Sequence, residues 1–158
     1  VRKRLGALGA LMAGLLLTAG TSVAAAAPAS AATPAVSCHA NSCYNVDPLA
    51  SGCANDAETV LVQDYKAESQ ASFALEIRYS PTCAAAWLRL TVWSGYNIGF
   101  AGSAWNPGGT SVGFSGHQAP ETWTAMVPAT PTQQACGGTQ FYVNGNWVRW
   151  YFLGCFTA

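Results

Sequence analysis

Ser72-Phe-Ala-Leu-Glu-Ile-Arg-Tyr-Ser-Pro-Thr-Cys83-Ala-Ala-Ala-Trp87-Leu-Arg-Leu-Thr-Val-Trp93 decides the fold. Phe73, Leu75, Ile77 and Tyr79 alternate with Ala74, Glu76 and Arg78, the period of a half-buried strand, and Leu88, Leu90 and Val92 repeat the pattern beyond a Pro-Thr-Cys turn. The two apolar sets share a face only when Leu75 opposes Leu90 and Ile77 opposes Leu88. That register sets Glu76 across from Arg89 and Arg78 across from Trp87 on the outer face. A cross-strand ion pair and a cation–π contact there would each add a few tenths to about one kcal/mol. Structural duty is therefore the expectation for Glu76, Arg78, Trp87 and Arg89.

Outward from this hairpin the chain stays β-like. Thr59-Val-Leu-Val62, within 58–63, suits a first strand, with Asn55-Asp56 as the cap of one helical turn in a minor alternative. Asn97-Ile-Gly-Phe-Ala-Gly102, Val112-Gly-Phe114 and Thr122 to Val127 read as further strands, the last ended by Pro128. Ala104-Trp-Asn-Pro-Gly-Gly109 is a loop by its turn chemistry. About seven strands, no long helical period and no repeat predict an all-β domain, an antiparallel β-sandwich or small barrel.

The N-terminal end reads as a leader. Arg2-Lys-Arg4 precedes an apolar run from Leu5 to Ala27 and the small-residue step Ala29-Ser30-Ala31, the three zones of a secretory signal peptide. Cleavage after Ala31 divides the chain into a leader, 1–31, and a single domain, 32–158. The most apolar part, Leu5 to Leu17, is short of the roughly 20 residues that span a bilayer, and no cysteine marks a lipoprotein anchor. A secreted, extracellular protein is the expectation. The alanine-rich leader points to a GC-rich bacterium such as an actinomycete.

Without the leader only Lys66, Arg78, Arg89 and Arg149 face seven acids. So few cations exclude phosphate-rich partners, nucleic acid and anionic membrane alike. The six cysteines, Cys38, Cys43, Cys53, Cys83, Cys136 and Cys155, all follow the leader, and an even number in an oxidising compartment reads as disulfides. Phe141-Tyr-Val and Trp147-Val-Arg-Trp flank Asn144-Gly145-Asn146, a strong hairpin turn. Positions equidistant from it bring Cys136 and Cys155 close to register, so that bridge is predicted. The other four tie the irregular N-terminal segment, rich in turn residues such as Asp47-Pro48 and Ser51-Gly52, to itself and to the turn at Cys83, in a pairing the sequence leaves open. Zinc competes weakly, since no Cys-x-x-Cys pair occurs and His39 and His117 are far apart in the chain. No cofactor is expected.

Cys43-x-x-x-Asp47-Pro48, Gly52-Cys53-x-x-Asp56-Ala57 and Arg78-Tyr-Ser-Pro-Thr-Cys83-x-x-x-Trp87-x-Arg89 together resemble the YjfA-like family of small exported proteins of Gram-positive bacteria, common in Streptomyces and of unknown function. The resemblance covers about Cys38 to Val92; the Cys136 to Cys155 hairpin looks like an addition to the shortest pattern. It implies export, disulfides and a β-rich fold, and supplies no catalytic residues.

Enzyme chemistry finds little support. Neither histidine sits beside a serine in a strained strand-to-helix elbow. Pairing among Asp47, Asp56, Glu58, Asp64, Glu68, Glu76 and Glu121, as glycoside hydrolysis needs, is invisible in sequence. Turn or cap duties account for Asp47 and Asp56. Aromatic density is the stronger signal. Trp93, Trp105, Trp123, Trp147 and Trp150 with Tyr96, Tyr142 and Tyr151 fill cores, stack on sugars or anchor protein interfaces. Simple alternation puts Trp147 and Arg149 on one face of the last hairpin and Val148 and Trp150 on the other. Trp105, Trp147, Arg149 and Tyr142 are the interaction candidates.

The expectation is a non-catalytic module that binds another secreted protein, an adaptor or accessory subunit of an extracellular assembly such as an antibacterial toxin complex used in bacterial competition. The alternative is a carbohydrate-binding, lectin-like module, with polysaccharide as partner. A coplanar row of exposed rings would favour sugar; an apolar patch rimmed by charge would favour protein. A small hydrolase or an enzyme inhibitor ranks third.

Overall fold

A computed structural model describes residues 35–66, 71–94, 98–109, 111–117 and 120–158. The expected leader, 1–31, and the aromatic candidate Tyr96 lie outside them. Among the described residues no helix is long and apolar enough to cross a membrane.

Two antiparallel sheets face each other. The first holds β1 (Glu58–Lys66), β2 (Ser72–Ser80), β3 (Ala85–Ser94) and β6 (Glu121–Trp123) in that order, with β7 (Val127–Pro128) also paired to β3. The second runs β5 (Ser111–His117), β4 (Ile98–Trp105), β8 (Ala135–Val143), β9 (Asn146–Phe156). The register of the central hairpin is the one its alternation demands: Leu75 opposes Leu90, Ile77 opposes Leu88, Glu76 opposes Arg89 and Arg78 opposes Trp87. Phe73, Leu75, Ile77, Leu88 and Leu90 thereby meet Phe100, Ala104, Val112 and Phe141 of the second sheet in one core.

Strand boundaries differ from expectation at the end of β4 and after β5: Ala104 and Trp105, expected in the following loop, close β4 and pair with both β5 and β8. The segment 122–127 is not one strand. After Trp123 the amide of Thr124 donates to Leu88 O (2.9 Å) while its hydroxyl accepts from Leu88 N (3.1 Å), so the side chain replaces a ladder carbonyl. Met126 then pairs with the N-terminal segment, its amide donating to Val46 O (2.9 Å) and its carbonyl accepting from Asn45 N (2.9 Å). The strand splits into β6 and β7 because its middle serves a different partner. At β1 the strand reading holds, whereas Asn55 and Asp56 do not cap a helical turn: they are the last residues of a 3₁₀ turn, Cys53–Asp56, that follows Gly52 and leads into the strand.

The three bridges are Cys38–Cys43, Cys53–Cys83 and Cys136–Cys155. The last joins directly opposed residues of β8 and β9, as predicted, by a route the turn alone does not give. Asn144 (φ 50°) and Gly145 (φ 79°) form a two-residue turn of the type that requires left-handed backbone. Counted back from that turn, Cys136 would meet Leu153. Register shifts at Gly137/Gly138 and at Phe141/Tyr142 give β9 two extra residues and bring Cys155 opposite Cys136.

Candidate functional site

The outer face of the first sheet is covered at one end, while Trp93 and Val62 further along it stay exposed. Residues from Cys38 to Asp56 are stapled over its β2–β3 turn end, where Cys43, Cys53, Cys83, Ala85, Trp87 and Met126 form a second, smaller core. Trp87 is only 4% exposed. It packs under the disulfides, while Arg78 opposite it donates to Ala57 O and to Thr59 Oγ1, each at 2.6 Å. The expected cation–π pair is therefore replaced by a different division of labour: Arg78 ties β2 to the start of β1, and Trp87 fills the cover.

The expected ion pair is present. Arg89 Nη2 lies 2.6 Å from Glu76 Oε2, which also accepts from Thr59 Oγ1 (2.8 Å), and Glu121 approaches Arg89 Nη1 at 3.5 Å. Glu76 is buried, and Arg89 Nε is buried without a hydrogen-bond partner. With Glu76 buried and Arg89 still partly exposed, the cost of desolvation offsets much of the pair's attraction.

Both motif aspartates serve turns. Asp47 Oδ1 accepts from the amides of Leu49 and Ala50, and its Oδ2 accepts from Trp123 Nε1 (3.2 Å). Asp56 accepts from the Ser80 hydroxyl (2.5 Å) and the Thr82 amide (2.9 Å), pinning the turn that carries Cys83. Desolvation pushes both carboxyls up, but these hydrogen bonds prevail and hold each below the ordinary aspartate value. A depressed folded-state value contributes stability above the unfolded pKa that disappears as pH falls through the folded one. Acid titration of unfolding is expected to show this loss beginning near the ordinary aspartate range and continuing below it. Asp56→Asn should flatten that limb; an unchanged slope would remove Asp56 from the account.

The four sulfurs of Cys38, Cys43, Cys53 and Cys83 lie within 4.8 Å of one another, close enough for a tetrahedral metal site. All four are spent in disulfides, so the oxidised protein offers no thiolate there. Among the described residues no histidine or carboxylate joins this group; the His39 backbone amide and carbonyl bond the Ser42 hydroxyl, at 2.8 Å each.

The outer face of the second sheet has a different character. Trp147 is opposite Tyr142, Trp150 opposite Gln140 and Phe152 opposite Gly138, all on the face pointing away from the core. The bulge at Val148 overturns the simple alternation: Trp147 and Trp150 share a face, and Arg149 falls opposite Phe141, with Arg149 itself exposed at the edge. Trp147 is 61% exposed, Phe152 52% and Trp150 37%. Trp105, half-buried at the end of β4, packs against Trp150 and Phe152, with ring centroids 6.1 and 5.9 Å apart and planes tilted by 43° and 33°. Trp150 lies across Gly138, where a Cβ would stand 2.6 Å from its ring. Tyr142 Oη donates to Gln140 Oε1. From Leu90 to the end of the chain the only Asp, Glu, Lys or Arg residues are Glu121 and Arg149. The aromatic face is thus built almost without charge.

A separate cavity of about 720 Å³ opens between the first 3₁₀ turn (Ala40–Cys43) and the β4–β5 loop. Asn41, Tyr44, Asn106, Gln133, Gln134 and Thr157 line it with amides and hydroxyls, and none of its lining residues is charged. Anchoring is internal: Gln133 Nε2 donates to Asn41 Oδ1 (3.0 Å), and Asn106 Nδ2 donates to the carbonyls of Pro128 and Gln134.

Residues 41–137 match the family described as Protein of unknown function (DUF2690). The chain belongs to that family. No curated protein and no solved structure matches it. The DUF2690 span takes in the cover from Asn41 onward, without Cys38, together with the turn aspartates, the Glu76–Arg89 pair and strands β1 to β7, and it stops at the third residue of β8. The exposed aromatic strand β9 lies beyond it. Sequence reasoning singled out Trp105, Trp147, Tyr142 and Arg149, and the structure gathers the first three on or beside one face; Phe152 and Trp150 complete it. Phe152 was missed because a lone phenylalanine in an apolar run carries no mark of exposure.

Proposed function

We propose that the domain is exported and acts as a non-catalytic module that binds another secreted protein through the free half of β9, as an adaptor or accessory subunit of an extracellular assembly. The disulfides fit an oxidising compartment, and the YjfA-like resemblance and the actinobacterial, Streptomyces-type origin belong to the same reading. One observation carries it. β9 is the last strand of its sheet, eleven residues long, and it exposes Trp147, Val148, Trp150 and Phe152. Natural edge strands are kept short, charged or covered, because an apolar open edge invites another chain. A partner that adds a strand and buries the indoles removes that liability. The rings are tilted against each other rather than coplanar, which favours a protein surface over a polysaccharide chain.

Carbohydrate binding is retained as a second reading for one reason: the uncharged, amide-lined cavity beside Tyr44 has the volume and chemistry of a neutral-ligand pocket. The distinguishing experiment is capture of the tagged mature protein from the producer's culture supernatant, followed by mass spectrometry. The expected result is a stoichiometric secreted protein, with Trp147→Ala and Trp150→Ala each lowering its affinity at least about tenfold, the loss of about 1.4 kcal/mol that a central aromatic contact supplies. Retention on insoluble polysaccharide with no protein partner would reverse the order of the two readings.

A further inference from the structure

We propose that the four-sulfur cluster under the N-terminal cover is a thiol–disulfide exchange centre that takes up an external thiol at Cys38 and passes the opened bond inward. The inference is independent of which ligand β9 binds. Its basis is the contact between two bridges that are not joined to each other: Cys38 Sγ stands 3.8 Å from Cys53 Sγ, and all four sulfurs lie within 4.8 Å. Access is graded. Cys43, Cys53 and Cys83 are fully buried, whereas Cys38 is partly exposed at the outer end of the cover.

Exchange proceeds by attack of a thiolate on a disulfide sulfur, with the displaced sulfur leaving as a thiolate. At this cluster an incoming thiolate reaches Cys38 Sγ first. It forms a mixed disulfide with Cys38, the Cys38–Cys43 bond breaks, and its electron pair remains on Cys43 Sγ. That thiolate is already packed against the neighbouring bridge. It attacks Cys53 or Cys83, makes a new bond there, and leaves the other sulfur of that bridge as the thiolate, to be protonated from solvent. One external sulfur enters, one cysteine thiol emerges, two disulfides remain in the cluster throughout, and nothing is oxidised or reduced overall. The outcome is a covalent attachment on the N-terminal arm while Cys43 stays bonded inside the cover that shields Trp87.

No comparable relay exists at Cys136–Cys155, which lies in the other sheet, bonded strand to strand, with no further cysteine in the chain left to receive the exchange. The two sites therefore serve as each other's control in one molecule.

The experiment is brief exposure of the oxidised protein to glutathione, an acid quench, alkylation with N-ethylmaleimide and peptide mass spectrometry. The expected pattern is glutathione on Cys38, a single maleimide per molecule carried on Cys53 or Cys83, a new bridge from Cys43 to the other of those two, and an intact Cys136–Cys155 bridge. Maleimide confined to Cys43 would show that the opened bond stays where it was made and would overturn the relay. Glutathione carried on Cys53 or Cys83, or first opening of Cys136–Cys155, would overturn Cys38 as the entry point. In a Cys53→Ala, Cys83→Ala protein the maleimide should collect on Cys43 alone; if that variant fails to fold, the labelling pattern of the unsubstituted chain decides by itself.

Discussion

Phe73→Ala is expected to destabilise the domain by about 4 kcal/mol, in the range of ~3–5 kcal/mol for truncating a fully enclosed phenylalanine. Phe73 is fully buried, and its ring meets four others: Tyr65 at 5.2 Å, Phe100 at 5.1 Å, Phe141 at 6.1 Å and Tyr151 at 5.2 Å between centroids. Those partners come from β1, β4, β8 and β9, so the vacancy faces both sheets and no single element can collapse into it. Against a total stability of roughly 5–15 kcal/mol the loss is a large share. Denaturant unfolding with the bridges intact measures it through the midpoint at unchanged slope. Val62→Ala, on an exposed side chain of β1, should stay within about 0.5 kcal/mol. A Phe73→Ala loss below about 1.5 kcal/mol would mean that the ring cluster is not the keystone between the sheets.

The second large effect belongs to the bridge with the longest loop. Cys53–Cys83 spans 30 residues of sequence, Cys136–Cys155 spans 19 and Cys38–Cys43 only 5. Loop-closure entropy ranks their contributions at about 3.6, 3 and 2 kcal/mol. Paired replacement Cys53→Ala, Cys83→Ala should therefore cost most. It should also loosen the cover over Trp87, seen as a red shift in tryptophan emission before global unfolding. A larger loss for the Cys38→Ala, Cys43→Ala pair would show that the cover is held mainly by its small outer loop and would contradict the entropic ranking.

The parts legible in the sequence were those in which local pattern and pairing pattern coincide. Phe73, Leu75 and Ile77 on one side of a turn and Leu88 and Leu90 on the other admit one register, and the structure adopts it. The turn chemistry at Asn144-Gly145 marked the hairpin and brought Cys136 and Cys155 near each other, but their direct opposition needs two register shifts that the sequence does not announce. The sequence did not show that Trp87 is buried, because its cover depends on Asn45 and Val46 pairing with Met126, some eighty residues away, and no periodicity encodes that pairing. Nor did it show which face Trp147 and Trp150 share. Val148 looks like an ordinary strand residue, yet it is the extra residue of a bulge, and it inverts the face assignments from Arg149 as far as the second slip beside Leu153. The candidate surface was thus half visible: its residue types stood out, while their arrangement depended on a slip in register.

That slip also sets the curvature of the sandwich. Between the turn and the last paired residue, β8 uses nine residues where β9 uses eleven, so β9 travels the longer track around a bend. The bend carries its far half toward β1, where the Tyr65 hydroxyl donates to Phe152 O (3.3 Å) and Leu61 lies against Gly154. One side of the two-layer stack is in this way bridged by side chains, with no ladder between β1 and β9, and the stretch from Asn146 to about Trp150 lies beyond those contacts. Whatever strand a partner lays alongside β9 has roughly that span to work with, a short splice beside the turn rather than a full-length seam.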